Sequence, residues 1–275
     1  MSDESVAVLA RGSAHLLESV LAGQPKLVVL PQEVASHRFF AIRAAQSERE
    51  RRSASSLIER MYATRGYQTS ALSIEEPAHQ KTFLASEHNT PLGTLTIGTD
   101  SAEGLLADSL FPDEVGRFRA EGFRICEFIK LAMDRRARST RLLAALFHVA
   151  YIYAHRFKQL DQLLIEVNPR HVSYYQTMLG FRVVGSERHN PRVDAPAVLL
   201  ALDLGHAEEQ IRIFGGMPEL AATERSAYPH FFPATDEAGI VGRLERAEED
   251  VAHVLESVAG ISAVRLAARR AALSH

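Results

Sequence analysis

The chain has 275 residues, of which 46% are hydrophobic and 24% charged, with one cysteine and a formal net charge of −3. This composition is typical of a globular protein with a sizeable core, and it excludes a disordered, collagen-like or disulfide-rich chain. The small negative net charge gives no general attraction to nucleic acid, so nucleic acid is not an expected partner.

We expect no targeting or membrane-spanning segment. Residues 1–5 are acidic rather than basic, unlike the start of a secretory signal. The longest apolar stretch, residues 142–154, is too short to cross a bilayer. The single cysteine, Cys126, can form no internal disulfide, which fits a reducing compartment. We therefore expect a cytoplasmic protein.

In chain order, the spacing of apolar residues and the turn residues predict alternating helices and strands. The predicted elements are a helix at 13–21, an extended segment at 26–30, a strand at 39–42, a helix at 53–65, a hairpin of strands at 81–86 and 94–98, a strand at 124–133, a helix at 140–157, a strand at 163–167, a helix at 171–179 and strands at 181–184 and 197–202. After Gly205 the pattern is irregular, and an amphipathic helix starts near Glu237.

This order predicts an α/β (α+β) fold with a mixed twisted sheet flanked by helices. The chain is expected to divide into an N-terminal extension (residues 1–38), one domain (39–204) and a mostly helical C-terminal extension (205–275) packed on that domain. The apolar stripe of the last helix also suits a dimer contact or peripheral contact with a membrane surface, but packing on the core is the default.

An arginine-rich turn, residues 134–141, joins the predicted central strand to a helix that is apolar on all sides. It holds four arginines, together with a serine and a threonine: Arg135, Arg136, Arg138, Ser139, Thr140 and Arg141. Backbone N–H groups at a helix start and fork-shaped guanidinium donors suit a phosphate group. The alternative is a solvated basic helix start.

One carboxylate interrupts the apolar central strand. Burial of Glu127 is costly unless the group is paired or used, and it raises the carboxyl pKa towards the range of a general base. The alternative is an ion pair inside the core. Lys130 lies three residues further on and therefore on the opposite face of a regular strand, so a direct pair of these two residues is not expected.

Two adjacent tyrosines follow the strand that ends at Asn168-Pro169. Tyr174 or Tyr175, on a short helix that ends at Gly180, can serve as a proton donor at a strand-to-helix cleft, although packing is the alternative for each. His148 and His155 lie seven residues apart on one helix, but no third ligand is near in sequence, so no metal site is expected.

Residues 39–204 resemble the GNAT acyltransferase fold, because three features follow one another in that family's order. These features are the hairpin, the strand that leads into the arginine-rich turn, and the segment Asn168…Tyr175…Gly180-Phe181. The chain resembles more narrowly the bacterial long-chain N-acyl amino acid synthases, which are relatives of the acyl-homoserine-lactone synthases. The narrower resemblance is carried by residues 126–130, by residues 171–181 and by Arg60-Met61-Tyr62 with Gly66-Tyr67.

The resemblance implies transfer of a long-chain fatty acyl group from an acyl-carrier-protein thioester to the α-amine of an amino acid. It implies Glu127 as the base and Tyr175, or else Tyr174, as the proton donor to the thiolate. It also implies a pantetheine strand, an acyl pocket, and a phosphopantetheine and carrier-protein site at the arginine-rich turn. The residues of the pantetheine strand are Ile129, Lys130, Leu131 and Met133, and a backbone N–H near 129–131 would face the oxyanion. The residues of the acyl pocket are Phe128, Phe147 and Tyr151. No tightly bound cofactor is expected.

The chain departs from the family pattern at the turn. Arg138 and Thr140 stand where the family has small residues that let a pyrophosphate approach the backbone. This departure favours the single phosphodiester of carrier-protein phosphopantetheine over coenzyme A as donor. Ile129 and Lys130 replace the Ser-Arg pair of the lactone synthases, so lactone formation is not expected. The alternatives are a coenzyme-A-dependent N-acetyltransferase of a small amine or protein, and a non-catalytic module that binds acyl-carrier protein.

Overall fold

The computed structural model describes residues 8–9, 40–67, 77–137, 139–244 and 246. The strands are β1 (Val8–Leu9), β2 (Ala41–Ala44), β3 (Gln80–Glu87), β4 (Thr90–Thr99), β5 (Ile125–Met133), β6 (Gln162–Val167), β7 (Arg182–Asn190) and β8 (Ala195–Asp203). Within the described residues they form one sheet of eight strands in the order β1–β2–β3–β4–β5–β6–β8–β7. Only β5 and β6 pair in parallel, and the other neighbours are antiparallel. The predicted mixed sheet with flanking helices is confirmed.

Helices cover the sheet and connect its strands. The α-helices are α1 (Glu48–Ala63), α2 (Pro112–Ala120), α3 (Thr140–Tyr151), α4 (Val172–Leu179) and α5 (Leu204–Phe214), and residues 234–244 are also helical. Short 3-10 turns span Leu106–Ser109, Pro169–His171, Pro218–Ala222 and Tyr228–His230. Among the described residues, no helix is both long and apolar enough to cross a membrane.

Helix α1 shows how local sequence sets an element. Ser47 and Glu50 form a capping box that satisfies the first free N–H groups, so the helix begins before the predicted residue 53. Its buried face carries Leu57, Ile58 and Met61, the spacing of one helix face. The chain leaves the helix through Gly66 at φ +75°, a conformation that glycine adopts readily.

Two helices were not predicted from the sequence. Helix α2 was not predicted, and α5 was predicted as irregular chain after Gly205. The latter prediction was wrong because Gly205 lies in the first turn of α5, where Asp203 caps the helix by accepting the His206 N–H at 2.8 Å. The predicted helix 140–157 exists but changes type, since α3 is followed by π-helical residues Ile152–Phe157.

The core has two main parts on the two faces of the sheet. The larger part joins α3 to the sheet and includes Phe128, Leu146 and Ile165. The smaller part, which includes Phe111 and Leu164, lies under α2 and the 3-10 turn Leu106–Ser109. Since β5 and β6 are covered on both faces, their near-continuous apolar sequences follow from their position in the sheet.

The described residues beyond 204 pack into the larger part of the core. Ile211, Phe231, Phe232, Ile240 and Leu244 are all at most 4% exposed. The described part of the N-terminal extension, Val8–Leu9, adds a strand beside β2. The predicted helix at 13–21, the predicted extended segment at 26–30 and most of the predicted C-terminal helix lie outside the described residues.

Candidate active site

The strands β5 and β6 separate partway along their length, and a cavity opens between them. They pair only from Ile125 with Gln162 to Glu127 with Leu164. Beyond these pairs lies a cavity of about 490 Å³, lined by residues 128–131 of β5 and 165–168 at the end of β6. We call this cavity the cleft. It gives a reactant access to the middle of the sheet.

One side of the cleft is aromatic. The rings of Phe128 and Phe147 lie 5.7 Å apart, and those of Phe147 and Tyr175 lie 6.2 Å apart. All three residues line the cleft, together with Leu95 and Ile165. We call these five residues the apolar wall. Such a wall suits the alkyl part of a thioester.

Tyr151, the third residue of the predicted acyl pocket, does not line the cleft. It is buried at the end of α3, with its ring 5.9 Å from that of His148 and 5.4 Å from that of His155. The assignment of Tyr151 to the same pocket as Phe128 and Phe147 was therefore wrong. Tyr151 lies four residues after Phe147, but it points into the contact between α3 and the C-terminal segment, whose Phe231 and Phe232 stack on His148.

The other side of the cleft is polar. Glu166 is the last residue but one of β6, and its Oε2 accepts a hydrogen bond from Asn190 Nδ2 at 2.7 Å and another from the Arg192 guanidinium. Arg192 also donates to the Leu106 carbonyl oxygen at 2.6 Å and to the Ser109 hydroxyl. We call Glu166, Asn190 and Arg192 the polar wall. None of these three residues was predicted from the sequence as a site residue.

Glu127 lies directly behind the cleft. Its carboxylate is buried, 3% exposed, and accepts the N–H of Leu106 at 2.8 Å and that of Ala107 at 3.1 Å. Burial raises the pKa of this carboxyl to about 7, against the lowering effect of the two N–H groups. Leu106 lines the cleft and Glu127 does not, so a proton reaches Glu127 from the cleft only past this neighbour or through a bridging group.

A β-bulge shapes the β5 side of the cleft. Thr94 pairs with Ala132 and Thr96 with Ile129, so β5 has one extra residue, and Lys130 adopts φ +54°. The bulge breaks the strict alternation from which opposite faces were predicted for Glu127 and Lys130. Lys130 Nζ donates to Gln80 Oε1 at 3.0 Å. Ile129, Lys130 and Leu131 line the cleft, whereas Met133 lies beyond it beside Gly93.

The two tyrosines have different surroundings. Tyr175 lines the cleft and packs against Phe147 and Phe181, whereas Tyr174 is 39% exposed and does not line it. Burial raises the pKa of the Tyr175 hydroxyl, so it keeps its proton at neutral pH. Of the pair, Tyr175 is therefore the one that a reactant in the cleft would meet.

The arginine-rich turn is organised by an aspartate. Asp134 Oδ1 accepts the Arg136 N–H at 2.9 Å, and its other oxygen lies 3.4 Å from the Arg60 guanidinium of α1. Ser139 caps α3 by accepting the Leu142 N–H at 3.1 Å. The side chains of Arg135, Arg136, Ser139 and Thr140 are exposed and that of Arg141 is half-buried, while Arg138 lies outside the described residues.

The buried cysteine and the two histidines have structural surroundings. Cys126 is fully buried, and burial raises the pKa of its thiol. His148 bonds to Glu237 and to the Phe232 N–H, each at 2.7 Å, and His155 bonds to the Leu160 carbonyl oxygen at 2.8 Å. Within the described part of the chain, no group of three or more His, Cys, Asp or Glu residues is placed to hold a metal ion.

Comparisons with known proteins agree on a family. The family model of the N-acyl amino acid synthase FeeM matches residues 53–203, more than half of the chain. The structure of FeeM, an N-acyl amino acid synthase from uncultured soil microbes, is 30% identical with a TM-score of 0.57, over 62% of this chain and 93% of that one. No curated protein matches the chain.

Two more distant solved structures are also similar. A putative N-acetyltransferase from Lactobacillus plantarum is 15% identical with a TM-score of 0.46, over 60% of this chain and 98% of that one. The AHL synthase LasI is 13% identical with a TM-score of 0.46, over 61% of this chain and 91% of that one. The family match confirms the predicted GNAT-like fold and a catalytic rather than a purely binding protein. The chain therefore belongs to the N-acyl amino acid synthase FeeM family, and it is an N-acyltransferase.

Proposed function

We propose that this enzyme transfers a long-chain fatty acyl group from the phosphopantetheine thioester of an acyl-carrier protein to the α-amine of an amino acid. The observation that carries the proposal is the cleft itself. Its apolar wall and its polar wall meet where β5 and β6 separate, so an acyl thioester and a charged amine can meet within one cavity.

The proposed reaction forms a C–N bond and breaks a C–S bond. The ammonium of the acceptor gives a proton to Glu127 through water or another bridging group, because only the free amine is a nucleophile. The amine attacks the thioester carbonyl, and a backbone N–H of the bulge at residues 129–131 stabilises the oxyanion. As the C–S bond breaks, Tyr175 protonates the leaving thiolate. The amide nitrogen loses the second proton, and one proton in total is released to solvent.

Two observations support an amino acid as the acceptor. Glu166 offers a negative charge to an ammonium, and Arg65 and Lys130 line the same cleft and offer positive charges to a carboxylate. Arg65 is the last arginine before the Gly66 turn after α1, and its charge acts on both Tyr175 and His171. A zwitterion meets both signs of charge here, whereas a plain amine meets only one.

The arginine-rich turn supports a carrier protein as the donor. Arg135 and Arg136 are exposed, and Arg60 and Asp134 tie the turn to α1. Carrier proteins are typically acidic, so exposed arginines would draw them to the turn that follows β5. The glycine-poor turn disfavours the close approach of a pyrophosphate, which supports the same donor.

A thiol-release assay tests the donor. Purified protein is given palmitoyl-carrier protein or palmitoyl-coenzyme A at equal concentration, each with and without a pool of amino acids. We expect amino-acid-dependent thiol release with the carrier protein and at least tenfold slower release with coenzyme A. Faster release with acyl-coenzyme A or acetyl-coenzyme A would overturn the donor assignment and favour a coenzyme-A-dependent N-acetyltransferase.

A further inference from the structure

The cleft is lined by a carboxylate that takes no part in the proposed proton transfers. Glu166 lines the cleft, and its side chain is 14% exposed. We propose that Glu166 binds the ammonium group of the acceptor and holds it at the thioester. This inference rests on the proposed function to the extent that the acceptor is an amine.

The hydrogen bonds of Glu166 are incomplete on one side. Asn190 and Arg192 both donate to Oε2, whereas Oε1 is buried and has no hydrogen-bond donor among the described residues. An ionised carboxylate has about four acceptor positions, and a buried oxygen without a donor is costly. An ammonium group carries three N–H donors and the opposite charge, so it supplies what Oε1 lacks once a neighbouring group moves aside to open this buried oxygen to the cleft.

The surroundings hold Glu166 in place independently of a ligand. Arg192 joins it to the Leu106 carbonyl oxygen, and the N–H of Leu106 in turn holds Glu127. One short 3-10 turn therefore positions both carboxylates. Such a fixed group binds a ligand without first losing side-chain freedom, which favours tight recognition.

The register of the strands places the two carboxylates near each other. Glu127 pairs with Leu164, and Glu166 lies two residues beyond Leu164, so its side chain is on the same face of β6. Glu166 is at the cleft and Glu127 is behind it. This order suggests a division of labour in which Glu166 binds the ammonium and Glu127 receives its proton.

Charges of both signs surround the cleft. Glu166 and Glu127 carry at most two negative charges, whereas Arg192, Arg65 and Lys130 carry three positive ones. The total charge therefore does not itself attract a cation, and binding of an ammonium depends on its direct contact with Glu166. Arg65 and Lys130 belong to the turn after α1 and to β5, and Lys130 bonds to Gln80.

Binding of a small amine tests the site without any acyl transfer. Titration calorimetry compares n-hexylamine with n-hexanol, its uncharged counterpart, on the full chain and on Glu166→Gln. The amide can still accept the bonds of Asn190 and Arg192, so the substitution removes charge and keeps shape. We expect the wild type to bind the amine at least about tenfold more tightly than the alcohol, and the variant to lose this preference.

A matched variant separates the ammonium site from a general ion-pair effect. Glu114 is buried and paired with Arg188 at 2.6 Å, as Glu166 is paired with Arg192, but it lies on α2 outside the cleft. Glu114→Gln should therefore keep the preference for the amine. Equal amine binding by wild type and Glu166→Gln, or equal loss in both variants, would overturn the proposal.

Kinetics provide a second readout. In Glu166→Gln we expect the KM of the amino acid to rise at least about tenfold while the KM of the acyl donor stays unchanged, and Glu166→Asp should restore part of the difference. A merely structural ion pair would raise both KM values alike. If the wild type acylates no amino acid yet still prefers hexylamine, the proposed function fails and the ammonium site stands.

Discussion

Glu127 is a buried carboxylate, and hydrogen bonds from the backbone offset part of the cost of its burial. The two N–H groups at the start of the 3-10 turn Leu106–Ser109 satisfy its oxygens, while burial keeps its pKa near 7. A carboxyl with a pKa near 7 is about half ionised at neutral pH, so it can accept a proton and then release it. The same residue therefore has a cost in stability and, in the proposed mechanism, a use in catalysis.

Replacing Glu127 by glutamine should remove the base. We expect Glu127→Gln to lower kcat about a hundredfold or more, because positioned bases contribute on that order. In the wild type, kcat/KM should rise with pH up to about 7 and then level off, since Glu127 must be ionised to act. Steady-state rates between pH 5 and 9 measure both effects. Unchanged turnover in the variant would rule out Glu127 as the base.

The same substitution should change how stability depends on pH. The folded pKa of Glu127 lies above its ordinary value, so its contribution to stability is fully present below about pH 4.5 and is lost as pH rises through 7. Relative to Glu127→Gln, the wild type should lose about 3 kcal/mol of unfolding free energy over this range. Urea unfolding of both proteins at several pH values measures this difference. If the unfolding free energies of the two proteins changed equally with pH, Glu127 would not be a buried group that titrates near pH 7.

The tyrosine pair offers a matched comparison. Tyr175→Phe keeps the ring contacts with Phe147 and Phe181 but removes the hydroxyl, so kcat should fall about tenfold or more with little change in KM. Tyr174→Phe changes an exposed ring outside the cleft and should have the activity of the wild type. Rate measurements on both variants decide the assignment, which fails if the Tyr174 variant is the slower one.

At the scale of elements, the separation of β5 from β6 and the bulge in β5 create the cleft. The packing around the cleft depends on close contacts that the glycines of β4 and β7 allow. Gly185 is a clear case, because a Cβ there would lie 2.7 Å from the Phe111 ring and 2.9 Å from Leu199 Cβ. The hairpin of β7 and β8 carries two residues of the polar wall, Asn190 and Arg192, at its tip, so this packing positions them.

Two glycine-to-alanine substitutions should have opposite effects on stability. Gly185→Ala should lower the free energy of unfolding by about 1–3 kcal/mol because the new methyl overpacks the contact with Phe111. Gly116 lies in α2, where an added Cβ would have no atom within 4 Å, so Gly116→Ala should raise the free energy of unfolding by about 0.5–1 kcal/mol. Chemical denaturation measures both, and a stable Gly185 variant would mean that β7 can move away from Phe111.

Most elements could be predicted from the sequence because their apolar spacing is strong. The missed helices lack that signal: α2 is nine residues long with Pro112 and Gly116, and α5 contains Gly205 in its first turn. Glu127 could be found because an acid in an apolar strand is unusual, and the same signal was available for Glu166. Asn190 and Arg192 could not be found, since they lie in a polar hairpin tip that resembles any exposed loop.

At the scale of the whole molecule, the C-terminal segment fastens the helix behind the cleft. Glu237 accepts a bond from His148 at 2.7 Å and one from Arg156 at 3.3 Å, and Phe231 and Phe232 stack on the imidazole. Since His148 Nδ1 accepts the Phe232 N–H, its proton is on Nε2 and points at Glu237. Helix α3, which carries Phe147 and begins at the arginine-rich turn, is thus held from behind.

Loss of Glu237 should loosen this contact. Glu237→Ala leaves the buried imidazole N–H of His148 without its acceptor and leaves Arg156 with Glu208 alone, so the free energy of unfolding should fall by about 3 kcal/mol. Glu209→Ala removes an exposed partner of Arg212 and serves as the control, with no change in Tm expected. Thermal unfolding compares the two, and equal Tm values would show that the contact with the C-terminal segment contributes little.

The charge distribution should control the encounter with the donor. The net charge of the chain is −3, yet the exposed turn carries Arg135 and Arg136. Reversing both to glutamate should raise the KM of palmitoyl-carrier protein at least tenfold, should weaken its salt dependence, and should leave the KM of the amino acid unchanged. Initial rates at 50 and 300 mM salt measure this. An unchanged donor KM would move the carrier-protein contact elsewhere.

The central claim is that an acyl thioester and an amino acid react in the cleft to give an amide. The most direct test is mass spectrometry of the product made from uniformly ¹³C-labelled palmitoyl-carrier protein and a mixture of amino acids. We expect a labelled product with the mass of labelled palmitate plus one amino acid minus water, at least a hundredfold less abundant with Glu127→Gln. Labelled free palmitate alone, or an amide formed equally fast by the variant, would contradict it.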